Sequence, residues 1–294
     1  MKLLIGVMTA LLLVAPTACA SAYAAERKIA VVAAENFYGD VARQLGGEQV
    51  SVVSILSNPD QDPHLFEVSP TIVRQIAAAQ IVIANGADYD PWMERLLKVT
   101  PRAGRIVISA ADLMNAKAGD NPHLWYDPPT MPAVARALAA ALAAADPLHK
   151  DDYAARLSSF LASLEPLDEK IAAISGKYAG VPVTATEPVF GYMAAALKLK
   201  MRNERLQLAV MNDTEPSARD VAAFEQDLKA HTVRVVFYNT QASSKLVQRL
   251  VDLARASAVA VVGLTETCPA GVSYQDWMRH TLDAVERALA GATP

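Results

Sequence analysis

The chain has 294 residues, a formal net charge of −4, 52% apolar residues and 20% charged ones. That length exceeds one typical domain and suits two, and the composition is that of a globular protein able to build a sizeable core. No basic cluster gathers on the chain to meet phosphates, so nucleic-acid binding is excluded as a function class.

The chain opens with Lys2, the apolar run LLIGVMTALLLVAP and the small residues ACASAYAAE. This charged, apolar, small-residue order is that of a secretory signal peptide, with Ala22-Tyr23-Ala24 as the cleavage triplet and residues 1–24 removed. The apolar run is short for a membrane span of about 20 residues. Lipidation at Cys19 is the less favoured alternative, because Pro16-Thr17-Ala18 lacks an aliphatic residue three positions before the cysteine. The mature chain is therefore expected in the periplasm or cell envelope. It retains one cysteine, Cys268, so an intramolecular disulfide is excluded. Cys268 is read as a small half-buried residue rather than a ligand or nucleophile.

From Lys28 onwards, short β-branched runs alternate with amphipathic ones. KIAVVAA, QVSVVSIL, IVIANGA and RIVIS read as buried strands. Helices are predicted around YGDVARQLGG and over SPTIVRQIAAA, where Ser69 caps and Pro70 takes the first helical position. Asp127 and Pro128 predict the same device before MPAVARALAAALAA. A helical stripe then runs through Tyr153, Leu157, Phe160, Leu161, Leu164 and Leu167 to about Gly176, with Pro166 expected to bend it. VPVTAT, LQLAVM, RVVFYN and AVAVVGL read as further strands, and helices are expected over PVFGYMAAALKL, 217–230, 242–256 and YQDWMRHTLDAVERALA. The order predicts an α/β protein of two lobes, each a mostly parallel sheet flanked by helices, joined by one long spine helix. The expected boundaries are 25–147 for the first lobe, 148–176 for the helix and 177–294 for the second lobe.

Two of the five histidines share a Pro-His-Leu setting, in DPHLFEVSP (62–70) and NPHLWYDP (121–128). His64 follows a strand and precedes a capped helix; His123 precedes another helix. Glu187 closes VPVTAT, and Glu266 follows AVAVVGL. In open α/β sheets the loops beyond the carboxyl ends of strands converge on one crevice. Imidazole and carboxylate are ordinary ligands of divalent transition metals, and two of each would neutralise a +2 ion. A proline before each histidine also lowers the entropy lost on fixing the ring. A structural histidine or a capping glutamate is the competing account at each position taken alone, and the chain has no HExxH or CxxC motif to settle it. His149, His231 and His280 read as surface residues, and Glu215 as a loop residue before the Ser217 cap.

The landmarks ENFYGDVARQLGG, SNPDQDPHLFEVSP, IVIANGADYDPWMERLL, NPHLWYDP, TEPVFGYMAAAL and LTETCPAG, in that order, resemble the metal-binding solute receptors of bacterial zinc and manganese ABC importers. The resemblance implies two lobes on a rigid spine helix, with one divalent metal ion as cargo in the cleft between them. It implies His64, His123, Glu187 and Glu266 as the ligands. It implies an ABC permease and its ATPase as partners, a monomer, and no enzymatic activity. Glu187 stands where zinc-importing members place histidine, Glu266 stands where Asp is common, and NAKAGD lacks their histidine-rich insert. Two imidazoles and two carboxylates favour Mn²⁺ by hardness, whereas the inherent affinity order favours Zn²⁺; Fe²⁺ is a further candidate. The rival functions are a secreted metal-dependent hydrolase and a receptor of the same fold for an organic ligand or metal chelate.

Overall fold

The computed structural model describes residues 28–58, 66–242 and 244–291. The expected signal peptide and Cys19 lie outside them, as does His64.

The first lobe is built on β1 (Ile29–Glu35), β2 (Val50–Leu56), β3 (Ile81–Ala84) and β4 (Ile106–Ser109). All pairings are parallel, in the order β2-β1-β3-β4. β3 is buried along its whole length, as a strand covered on both faces must be. Four helices accompany the sheet: α1 (Asn36–Gly46), α2 (Pro70–Ala78), α3 (Pro91–Val99) and α4 (Ala110–Met114). Ser69 caps α2 as expected, its Oγ accepting the Ile72 N–H at 3.4 Å with Pro70 at the first position. The predicted Asp127 cap is corrected. The next helix, α5, spans Thr130–Ala145 with Pro129 at its N-cap, and Asp127 offers only its backbone carbonyl to the Thr130 N–H. Two consecutive prolines explain this, because Pro129 disfavours the helical conformation at Pro128.

The spine helix, α6 (Lys150–Tyr178), is 29 residues long and runs through Pro166. It buries Tyr153, Phe160, Leu164 and Leu167, four residues of the predicted stripe.

The second lobe repeats the plan. β5 (Pro182–Ala185), β6 (Lys200–Arg202), β7 (Val235–Asn239) and β8 (Ala260–Leu264) form a parallel sheet in the order β6-β5-β7-β8. Its helices are α7 (Gly191–Ala196), α8 (Glu204–Met211), α9 (Ala218–Lys229), α10 (Lys245–Ala256) and α11 (Tyr274–Leu289). Here LQLAVM is corrected from strand to helix: it lies in α8, with Leu206 and Gln207 buried and Leu208 exposed. Short apolar runs carry no period long enough to separate the two. The edge place beside β5 goes instead to the polar segment Lys200–Arg202, which pairs on one side only. Helix α10 starts at Lys245, capped by Ser244, rather than at Ala242.

One aromatic core runs through both lobes. Phe37 stacks near Trp125 (ring centroids 4.8 Å), Tyr126 meets Phe190 (5.7 Å), and Phe190 meets Phe237 (4.6 Å). Hydrogen bonds reinforce it. Tyr126 donates to the Thr265 carbonyl at 2.9 Å, Tyr192 to the Asn121 carbonyl at 2.8 Å, and Tyr274 to the Trp125 carbonyl at 2.8 Å.

Candidate functional site

In an open parallel sheet the crevice lies where successive crossovers leave a central strand in opposite directions. That point falls between β1 and β3 in one lobe and between β5 and β7 in the other. Three of the four sequence-predicted residues are described: His123 and Glu266 approach each other and Asn239 links Glu266 to Glu187, but among the described residues no three His, Cys, Asp or Glu side chains are grouped to hold one ion. His123 opens a single 3-10 turn, Leu124–Tyr126; Glu187 lies two residues past β5; Glu266 lies two past β8. All are buried: His123 and Glu266 are 0% exposed and Glu187 is 5% exposed.

His123 Nε2 stands 3.5 Å from Glu266 Oε2. Asn121 decides what the ring presents there. Its Nδ2 donates to the Pro188 carbonyl at 2.8 Å, so its Oδ1 faces the imidazole, 2.6 Å from Nδ1. Nδ1 therefore carries a proton, and Nε2 is the ring nitrogen that faces the carboxylate oxygen. Among the described residues Nε2 has no hydrogen-bond partner. A buried imidazole nitrogen facing a carboxylate oxygen calls for a cation between them, which a proton on Nε2 or a metal ion would supply. Two donors about 2.1 Å from one ion, at a tetrahedral angle, stand about 3.4 Å apart, which matches the observed separation.

Asn239, the last residue of β7, holds the two carboxylates together. Its Nδ2 donates to Glu187 Oε2 at 2.9 Å and also to Glu266 Oε1, while its Oδ1 accepts the Gln241 N–H at 3.0 Å. Gln241 Oε1 accepts the N–H groups of Glu266 (2.6 Å) and Thr267 (3.1 Å). Sequence reasoning passed over Asn121, Asn239 and Gln241. The available signal was an Asn directly before Pro-His and another closing a strand.

The surroundings are acidic and buried. Tyr89, whose ring centroid is 6.1 Å from that of His123, is buried. Burial, then the charges of Glu266 and Glu35 with a hydrogen bond to Glu266, keep its phenol protonated. Glu35, at the end of β1, is 0% exposed, and neither carboxyl oxygen has a hydrogen-bond partner among the described residues. Burial, with the Asp90 charge added, pushes its carboxyl well above the usual range.

Cys268 is 3% exposed, so it is buried rather than half-buried. Burial pushes its thiol up to about 12, and Sγ donates to the Val272 carbonyl at 3.2 Å. His231 and His280 are exposed, and His149 pairs with Asp146 at 2.6 Å.

The chain is 24% identical over 260 residues to the high-affinity zinc uptake system protein ZnuA of Bacillus subtilis, covering 81% of this chain and 80% of that protein. It is 25% identical over 284 residues to the manganese-binding lipoprotein MntA of the same organism, covering 90% and 91%. The structure of the periplasmic zinc binding protein TroA from Treponema pallidum superimposes with a TM-score of 0.75 at 19% identity, covering 89% of this chain and 99% of that one. That likeness shows the shared two-lobe fold. A model of the family described as zinc-uptake complex component A, periplasmic (ZnuA), matches residues 31–288, and the chain belongs to that family.

Proposed function

We propose that this protein is the extracytoplasmic solute-binding subunit of an ABC importer, taking one divalent transition-metal ion between its lobes. His64, His123, Glu187 and Glu266 are the proposed ligands. The observation that carries this reading is the 3.5 Å approach of His123 Nε2 to Glu266 Oε2, both wholly buried. Two buried donors 3.5 Å apart fit one ion between them, which favours a bare ion over an organic ligand or chelate. Four protein donors also close the coordination sphere that a metal-dependent hydrolase keeps open for water, so the role is capture and delivery.

Manganese is the proposed cargo. Two imidazoles and two carboxylates form a harder set than three imidazoles, and one of the relatives is named for manganese. The loaded receptor delivers its ion to a membrane permease driven by a cytoplasmic ATPase and works as a monomer. The proposed processing removes residues 1–24, and the proposed units are 25–147, 148–176 and 177–294. Elemental analysis of protein purified from its own envelope tests the reading. One equivalent of manganese supports it, one of zinc overturns the cargo while leaving the site, and full metal affinity in His123→Ala overturns the site.

A further inference from the structure

The loop that carries His123 belongs to the first lobe, yet the second lobe grips it. The grip comes from the segment just after β5, residues 187–192, and it closes on one side chain, that of Asn121. The Pro188 carbonyl accepts from Asn121 Nδ2 at 2.8 Å, and the Tyr192 hydroxyl donates to the Asn121 carbonyl at 2.8 Å. Gly191 lies between these two anchors in the chain. A Cβ there would come within 2.9 Å of Asn121 Nδ2. Its chain neighbours and the backbone of α7 aside, no other atom of the described residues lies within 4 Å of that Cβ. Gly191 has ordinary right-handed helical dihedrals, φ −56° and ψ −50°, so its conformation does not call for glycine, and alanine is the better helix former. What the missing side chain provides is room for one amide group.

Asn121 passes this constraint to His123. Its Oδ1 accepts the His123 backbone N–H at 3.2 Å and stands 2.6 Å from the ring Nδ1. With Nδ2 committed to Pro188, the amide cannot turn over without giving up all of these bonds, so its plane fixes the direction of the ring. The first lobe holds the next residue instead: Asn85 Nδ2 donates to the Pro122 carbonyl at 2.8 Å. The loop is thus shared, its proline held by one lobe and its asparagine by the other.

We propose that Gly191 and Tyr192 are positioning residues for His123: they form a second-lobe seat for Asn121, and through it aim the imidazole at Glu266. The consequence for metal binding rests on the metal-receptor reading above. The seat makes His123 answer to the second lobe although the first lobe carries it. Moving residues 187–192 away from the loop releases the Asn121 amide, and the ring loses its fixed aim at the same moment.

The test is Gly191→Ala, made in the parent chain and in the Asn121→Ala background. The Nδ1–H proton resonance of His123 is followed in the metal-free protein. Mn²⁺ affinity is measured from the resonance of the free ion, and Zn²⁺ affinity by competition with a chromophoric chelator. In the parent, Gly191→Ala is expected to shift or broaden the Nδ1–H signal and to weaken both ions about tenfold or more. In the Asn121→Ala background it is expected to weaken neither by more than about twofold, because the atom it displaces is gone. An unchanged signal with unchanged affinity overturns the proposal, as would a purely packing role that moves only Tm. Equal weakening in both backgrounds overturns it too. If Gly191→Ala does not fold, Tyr192→Phe takes its place in the same cycle, and full additivity with Asn121→Ala overturns the proposal. His123→Ala separates the two levels. If it abolishes binding while Gly191→Ala changes nothing, only the seat falls; if it binds metal normally, the metal reading falls and the Nδ1–H signal alone decides the seat.

Discussion

The side chain of Asn36 and the backbone of Cys268 exchange two hydrogen bonds across the boundary between the lobes. Nδ2 donates to the Cys268 carbonyl at 2.7 Å, and Oδ1 accepts the Cys268 N–H at 2.9 Å. Tyr126 holds the other side of the same loop through Thr265. Glu266 therefore sits on a second-lobe loop whose two flanks are gripped by the first lobe, and its position depends on the lobes staying together. Asn36→Ala should lose about 1–3 kcal/mol of stability, from two bonds of about 0.5–1.5 kcal/mol each. It should also release metal about tenfold faster, as remote support of a ligand generally does. Stopped-flow chelator capture measures the release rate, and an unchanged rate would show that the clasp does not govern Glu266.

Asn121 sets the tautomer of His123, so Asn121→Ala should leave the ring free to rotate and to protonate at Nε2. Metal affinity is expected to fall by about 10–100-fold with the fold intact. Isothermal titration with Mn²⁺ and Zn²⁺, beside a far-ultraviolet spectrum, checks both halves of that statement.

Asn239→Leu removes an amide that donates to both Glu187 and Glu266. The two carboxylates would then face each other without it, and the metal-free protein should lose about 3 kcal/mol or more. A bound cation should restore part of that loss. Melting curves with and without Mn²⁺ should therefore differ more in this variant than in the parent, and equal shifts would refute the pairing.

Metal loading should stabilise the parent chain by mass action, since the unfolded chain holds no assembled site. At a free ion concentration about a thousandfold above Kd the gain is about 4 kcal/mol. For a chain of this size that is a rise of roughly 10 °C in Tm. Calorimetry before and after dialysis against a chelator reads it directly.

A pH effect is expected in the second lobe, away from the site. Burial of Asp227 opposes its ionisation, but Arg202 bonds it with two nitrogens at 2.8 Å each and Asn203 donates at 2.9 Å. These contacts outweigh burial and hold the carboxyl below the usual carboxylate range. A depressed folded-state value contributes stability that is present above the unfolded value, about 3.9, and is lost as pH falls through the folded one. Asp227→Asn should therefore lower Tm at pH 7, with the difference from the parent shrinking below about pH 4. A difference that persists at low pH would mean the effect is steric.

Much of this was legible in the residues themselves. Ser69, Ser217 and the buried runs such as IVIA announce caps and strands because those signals are local: a hydroxyl reaches an N–H three residues on, and a covered strand is apolar throughout. LQLAVM misled because a six-residue run with five apolar residues is too short to show a period, and packing decided the matter. Glu187 and Glu266 could be marked as candidates by place, each just past a strand at the carboxyl edge of a parallel sheet, and His123 by its Pro-His-Leu setting before a helix.

What the sequence by itself determined, then, is the alternation of strands and helices, and with it the side of each sheet on which the polar loops emerge. That follows from short-range sterics, burial periodicity and the handed, parallel crossover. Tertiary structure alone decided that Asn121 bonds Pro188 across 67 residues, that Asn36 bonds Cys268 across 232, and that Asn239 bridges two carboxylates. Such contacts join chain segments that share no local signal. Their geometry follows from how the two lobes close on a common aromatic core, which is a property of the packed whole.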